Sequence, residues 1–400
     1  MTSRERVLCT LQHKVPDKVP IDMGAMRSTG IMAIAYNKLK QHLGIKGGKT
    51  RVYDIGQQLA EPEPEILERF QVDVIDLANT MGRENDDWKD WQLPDGSPGQ
   101  VHQLFYPQRI NNEWVLMDGN RIAARMPDGC LYFESCNPPL EQATSARDIE
   151  NHSWFYFKDE DLKMLEQQAK RYYEETDYAI MGGFGGNILE MGQALRGWAK
   201  FMMDLVINRS FAEDLMAKLT EVHLKNLQGY LQATSGYIQI IQMGDDLGTQ
   251  SSPQISPDMY RELIKPHHQL IYRYVKEHSN LYVFLHSCGS IYEFIQDLIE
   301  AGIDILNPVQ TSAKNMEPLR LKQQFGDKIT FWGGGVDTQH ILPEGSLEEI
   351  KQQVIKRIRI FAPGGGFVFT PVHNIQASIP PEAIVAVYDT AIKNREYPIR

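Results

Sequence analysis

The chain has 400 residues, a net charge of −11, and 42% hydrophobic and 23% charged side chains, enough apolar material for a large core. No Lys/Arg run exceeds a few residues, which argues against a nucleic-acid or anionic-membrane binder, because phosphate affinity is built from clustered basic side chains. No apolar stretch approaches the ~18 residues of a membrane span, MTSRERVLCTLQH lacks a signal-peptide core, and four cysteines (Cys9, Cys130, Cys136, Cys288) are no disulfide framework. A soluble, cytoplasmic α/β protein is expected, with neither nucleic acid nor membrane as partner.

In chain order, short apolar runs alternate with helix-period stretches. Strands are expected at VPIDM (19–23), VDVIDL (72–77), YAIMGG (178–183), YIQIIQM (237–243), LYVFLHS (281–287), DILNPV (304–309), ITFWGG (329–334) and GFVFTP (366–371). Helices are expected over 160–175, 190–205, 209–233, 257–278, 290–301, 315–325, 347–361 and 381–394. Ser256-Pro257 and the capping box Ser346-x-x-Glu349 mark two of the helix starts. Eight such alternations favour a closed (β/α)8 TIM barrel over a doubly wound open sheet. Residues 100–136 break the rhythm with short β-patterned runs joined by Asn-Asn, Asp-Gly-Asn and Pro-Asp-Gly turns. The expected organisation is one domain over 1–400, with an antiparallel β-meander inserted at about 100–137.

In such a barrel the reactive groups stand at the C-terminal ends of the strands. Those ends carry Asp245-Asp246, His286-Ser287-Cys288-Gly289, Asp337 and His373-Asn374. At strand spacing His286 and Cys288 share a face, so both can reach one ion; each is also a common core residue. With His373 at another strand end, a metal site becomes the better reading of the three. Asp245 and Asp246 supply a further ligand, a general base or a substrate contact, or else form a helix-capping pair. Asp337 reads at least as well as a turn cap. His267, His268 and His340 read as ordinary helix or loop histidines, and Cys130 and Cys136 as lying outside the mouth unless the meander forms a lid.

The segments HSCGSIYEFIQDLIEAGIDILNPVQ, FWGGGVDTQHILP and APGGGFVFTPVHNIQASIPPEAI resemble the uroporphyrinogen decarboxylase superfamily, most strongly over 237–395. The resemblance implies a (β/α)8 fold and one of two chemistries: cofactor-free decarboxylation, or zinc-dependent methyl transfer with a corrinoid protein, as in methylcobamide:coenzyme M methyltransferases. The arginine-rich opening that grips porphyrinogen carboxylates is missing here, since DMGAMRSTG holds only Arg27. The methyltransferases carry H-x-C and a distant Cys as zinc ligands. His286 and Cys288 match the first two, and His373 stands where the third is expected.

The function expected is therefore methyl transfer between a small methylated substrate and the cobalt of a corrinoid (cobalamin) carried by a partner protein. Zn2+ would sit on His286, Cys288 and His373, with Asp246 or Asp245 as a further ligand or orienting group. One thiolate leaves zinc a stronger Lewis acid than two, which tilts the substrate toward a methoxylated aromatic, and hence toward O-demethylation. The aromatic-rich meander (Phe105, Tyr106, Trp114, Tyr132, Phe133) forms either a lid over such a ring or the core of its own sheet. A metal-free decarboxylase and a non-catalytic corrinoid- or tetrapyrrole-binding protein are the alternatives.

Overall fold

The computed structural model describes residues 1–77 and 87–399. Among these, seven parallel strands pair strictly in chain order: β1 (Val74–Asp76), β2 (Ala179–Gly185), β3 (Ile240–Gly244), β4 (Tyr282–His286), β5 (Ile305–Asn307), β6 (Thr330–Trp332) and β7 (Phe367–Val368). The eighth member is the segment 19–22, which closes the ring with few backbone bonds. Ile21 bridges Phe369 in parallel, Asp22 N donates to Phe369 O at 2.9 Å, and Asp73 N donates to Ile21 O at 2.8 Å. The sheet is thus curled into the expected (β/α)8 barrel.

Alternation along each strand decides what faces the axis. Val74, Ala179, Met181, Ile240, Phe284, Ile305, Trp332 and Val368 form one fully buried cluster inside the ring, with Phe284 and Trp332 edge to face at 5.5 Å. Val7 and Leu11 of the helix Ser3–Leu11 join this cluster. Buried Asp73 ties that helix to the sheet, accepting from Arg6 at 2.6 Å, from Ile21 N at 2.9 Å and from Arg395 at 3.3 Å. The larger cluster lies between strands and helices. Two residues beyond the interior layer, the same inward parity places Asp76, His286, Asn307 and Thr370 at the mouth.

The helices follow the expected spans with two local departures. The expected helix 190–205 is two, Leu189–Arg196 and Trp198–Ile207, because Gly197 sits at φ 90° between them, a conformation that glycine adopts without penalty. The expected helix over 257–278 holds one π-helical turn, Tyr260–Ile264, immediately before Pro266, whose missing N–H cannot continue the α pattern. The caps at Ser256 and Ser346 form as expected, accepting from Met259 N and Glu349 N.

Two antiparallel-rich sheets stand beside the barrel. Gln108–Ile110, Glu113–Asp118, Arg121–Pro127 and Glu134–Ser135 form the expected meander. The run from 101 to 110 is divided, however. Pro98–His102 belongs to a five-stranded sheet with Trp88–Gln92, Arg51–Asp54, Leu59–Ala60 and Ile31–Met32. No helix among the described residues is long and apolar enough to cross a membrane.

Candidate metal centre at the barrel mouth

His286 ends β4 pointing inward, and Cys288 follows two residues on. The chain must turn sharply there. Gly289 takes φ 89°, and a Cβ on it would lie 2.6 Å from the backbone of Gly248 and Thr249, so only glycine lets the H-S-C-G segment pass this loop. His373 comes from the loop after β7. Its ring lies 5.9 Å from that of His286, and one donor atom each of His286, Cys288 and His373 lie within 4.8 Å of one another. Cys288 Sγ is 3.4 Å from His286 Nε2. Atoms sharing one zinc at bonds of ~2.0–2.3 Å lie within about 4.4 Å of each other, so a small adjustment brings all three onto one ion.

Both imidazoles are held by an amide partner. Asn307 Nδ2 donates to Trp332 O at 2.9 Å, which fixes its Oδ1 as the acceptor of His286 Nδ1–H at 2.7 Å. His286 Nε2 is thereby turned toward Cys288 Sγ. His373 hydrogen-bonds the Asn374 side chain, and Asn374 Nδ2 is anchored to Gln57 Oε1 at 2.6 Å. Burial, and then the neighbouring His286, push His373 down to about 4, so its ring is neutral at physiological pH. Orienting partners of this kind are what metal-binding histidines require.

The surroundings are acidic. Burial pushes the Cys288 thiol well up, with Asp246 and Glu190 adding to it. Burial, then Asp246 and Asp245, raise Glu190 to about 7. A dication among these groups would offset that accumulated negative potential and favour the thiolate. The donor set, its orientation and its electrostatics therefore all fit a metal ion.

Asp246 touches the cluster and Asp245 does not. Asp246 Oδ1 accepts Cys288 N at 2.7 Å and lies 3.7 Å from His286 Nε2. Asp245, fully buried, accepts Ile188 N, Leu189 N and Glu190 N at 2.8–3.1 Å and pairs with His268 Nε2 at 3.0 Å. Its carboxylate caps the helix Leu189–Arg196 and is committed to that helix and to His268, which corrects the expectation that it shares the site with Asp246. His268 is that aspartate's buried partner rather than an ordinary helix histidine. Asp337 is a turn cap, accepting Gln339 N and His340 N.

Glu190 and Asn307 are the residues missed by sequence reasoning. Glu190 lies in the first turn of the helix Leu189–Arg196, and Asn307 sits inside the strand-like run DILNPV. The meander also reaches the mouth: Tyr132 Oη donates to Gln376 Oε1 at 2.5 Å, and Gln376 Nε2 donates to Asn374 Oδ1. All four cysteines are free.

Residues 135–393 match the family described as uroporphyrinogen decarboxylase (URO-D). Among solved structures, a methyltransferase from Methanosarcina mazei is 16% identical with a TM-score of 0.60, covering 98% of this chain and 99% of its own. A D-psicose 3-epimerase in the presence of D-fructose aligns with a TM-score of only 0.30 at 11% identity, over 62% of this chain and 84% of its own, and carries no weight. No curated protein matches the sequence. The match over more than half of the chain makes it a member of the uroporphyrinogen decarboxylase family.

Proposed function

We propose that this protein is a zinc-dependent methyltransferase that moves a methyl group between a small methylated substrate, such as a methoxylated aromatic, and the cobalt of a corrinoid carried by a partner protein. The observation that supports this most is the convergence of two oriented imidazoles and one thiol at the barrel mouth. A decarboxylase of polycarboxylates needs cations there. The single arginine of the opening segment, Arg27, is instead paired with Asp54 at 2.6 Å.

For a methyl ether, the methyl carbon passes to Co(I), which gives up two electrons and becomes methyl-Co(III). The C–O electron pair stays with oxygen, which gains one proton. His286, Cys288 and His373 would hold a zinc ion, which when bound would supply Lewis acidity toward the departing heteroatom. Asn307 and Asn374 keep both rings aimed at the centre, and Asp246 fixes the Cys288 backbone. Glu190, whose carboxyl burial and the neighbouring aspartates push toward the protonated form, is placed to hand over the proton.

The test is spectroscopic. Cob(I)alamin or a corrinoid protein, incubated with this protein and a methoxylated aromatic, should show loss of the Co(I) absorbance and growth of methyl-cobalt. Chelation should abolish the change and zinc restore it. Decarboxylation of uroporphyrinogen by metal-free protein, with no cobalt methylation from a broad panel of donors, would overturn the proposal.

A further inference from the structure

The meander does not lie flat on the barrel. It leaves a cleft of about 480 Å3, walled on one side by Arg121, Cys136, Pro138 and Pro139 and on the other by Glu190 and Trp198. Hydrogen bonds link this cleft to the metal centre. Glu190 lines the cleft and donates its backbone N–H to Asp245, and the adjacent Asp246 accepts Cys288 N. The outer wall is connected to the centre as well: Trp198 Nε1 and Gln193 Nε2 donate to Gln254 Oε1 at 3.3 and 3.0 Å, and Gln254 Nε2 donates to Asp246 O at 2.9 Å.

The lining has a direction. At one end stands the carboxyl group of Glu190, which accepts Asn187 Nδ2 and offers an anion no cationic partner. On the sheet side stands Arg121, whose guanidinium is pinned by donating to Asn137 O and to Asp118 Oδ2. Those two bonds leave three of its five N–H donors uncommitted among the described residues. Asp118 is 69% exposed, so its solvated carboxylate is a weak competitor for an incoming anion. Between the two ends, Pro138, Pro139 and the indole of Trp198, which is 60% exposed, offer flat apolar surface. The volume lies in the ~300–1,000 Å3 range of small-molecule sites and suits a single ring with substituents.

We propose that this cleft holds the body of the methyl donor and selects a planar ring carrying one acidic group, held by Arg121, with the methylated heteroatom at the opposite end beside the metal centre. The orientation rests on the methyl-transfer reading, but the binding preference does not.

Calorimetric titration of the full-length protein with 4-methoxybenzoate and its neutral counterpart 4-methoxybenzamide separates the two. The acid should bind at least about tenfold more tightly. Arg121→Met should weaken the acid alone and erase that preference, while Arg121→Lys keeps it. Trp198→Ala, at an exposed position with little bearing on folding, should weaken both ligands. Equal affinities in the unsubstituted protein, binding of neither ligand, or equal weakening of both by Arg121→Met would overturn the proposal. The predicted binding pattern without methyl transfer to cob(I)alamin would support the cleft and contradict the methyl-transfer reading.

Discussion

The barrel and the meander beside it are both β-structure, yet they solve opposite problems. Each residue of Ile305–Asn307, Thr330–Trp332 and Phe367–Val368 is buried, whereas Gln108–Ile110 is exposed throughout and Glu113–Asp118 has a single fully buried residue, Val115. A strand buried on both faces has little freedom to shift, because interiors pack at crystal-like density. That rigidity is what a metal centre needs, and all three candidate ligands come from the barrel's strand ends. A half-solvated sheet can present polar side chains on its open face, and from there Arg121 reaches the cleft. On the proposed assignment, the atoms that must be placed to a fraction of an ångström stand on the barrel, while Arg121, which would select the acidic group, stands on the insertion.

Substitutions can break this division, and the largest effect is expected at the ligands. Cys288→Ala should lose most of its zinc and at least about 100-fold in methyl transfer, whereas Cys130→Ser, on the exposed meander, should keep one zinc per chain; metal analysis beside the cobalt assay reads both. Stoichiometric zinc in Cys288→Ala would remove that residue from the centre.

Next comes Asp22, on the closing segment, which burial pushes up to about 6. Its folded pKa exceeds the unfolded value of ~3.9, so its contribution to stability is full below pH ~4 and is lost as pH rises through 6. Urea unfolding should show the native protein losing roughly 2–3 kcal/mol across that window relative to Asp22→Asn. Parallel pH profiles for the two proteins would contradict this.

Asn307→Leu removes the acceptor that orients His286, and should lower metal affinity by about 10–100-fold with the ligands themselves intact. A competitive chelator titration measures it, and unchanged affinity would mean that the ring is held by packing alone. The smallest effect is expected at the join between the two regions. Tyr132→Phe loses the bond to Gln376 and should cost about 1 kcal/mol or less in thermal unfolding. A larger loss would show that the meander carries more of the fold than its exposure suggests.

Much of this was legible in the sequence because parallel strands leave an unmistakable signature: short runs such as LYVFLHS, apolar on both faces, at regular spacing between helices. The H-x-C pair and His373 were legible for the same reason, since strand ends fix which residues share a mouth. Adjacent Asp245 and Asp246 could not be separated without coordinates; they diverge because neighbouring side chains point to opposite sides of the chain, one onto a helix N-terminus and one onto Cys288 N. The five-stranded sheet left no pattern, because Ile31–Met32 and Leu59–Ala60 are two residues each and alternation needs at least four. Glu190 was hidden because it is the second residue of the helix that follows β2, and a helix-period pattern does not say which first-turn side chain faces the mouth. The role of Asn307 was hidden because an amide next to Pro308 reads as a simple strand terminus.

The most direct test of the central claim is X-ray absorption at the zinc edge of the zinc-loaded protein. One sulfur at ~2.3 Å and nitrogen or oxygen neighbours at ~2.0–2.1 Å, with imidazole outer-shell scattering from two rings, are the predicted first shell. In Cys288→Ala the sulfur contribution should vanish. Two sulfurs, or none, in the unsubstituted protein would contradict the His286–Cys288–His373 centre.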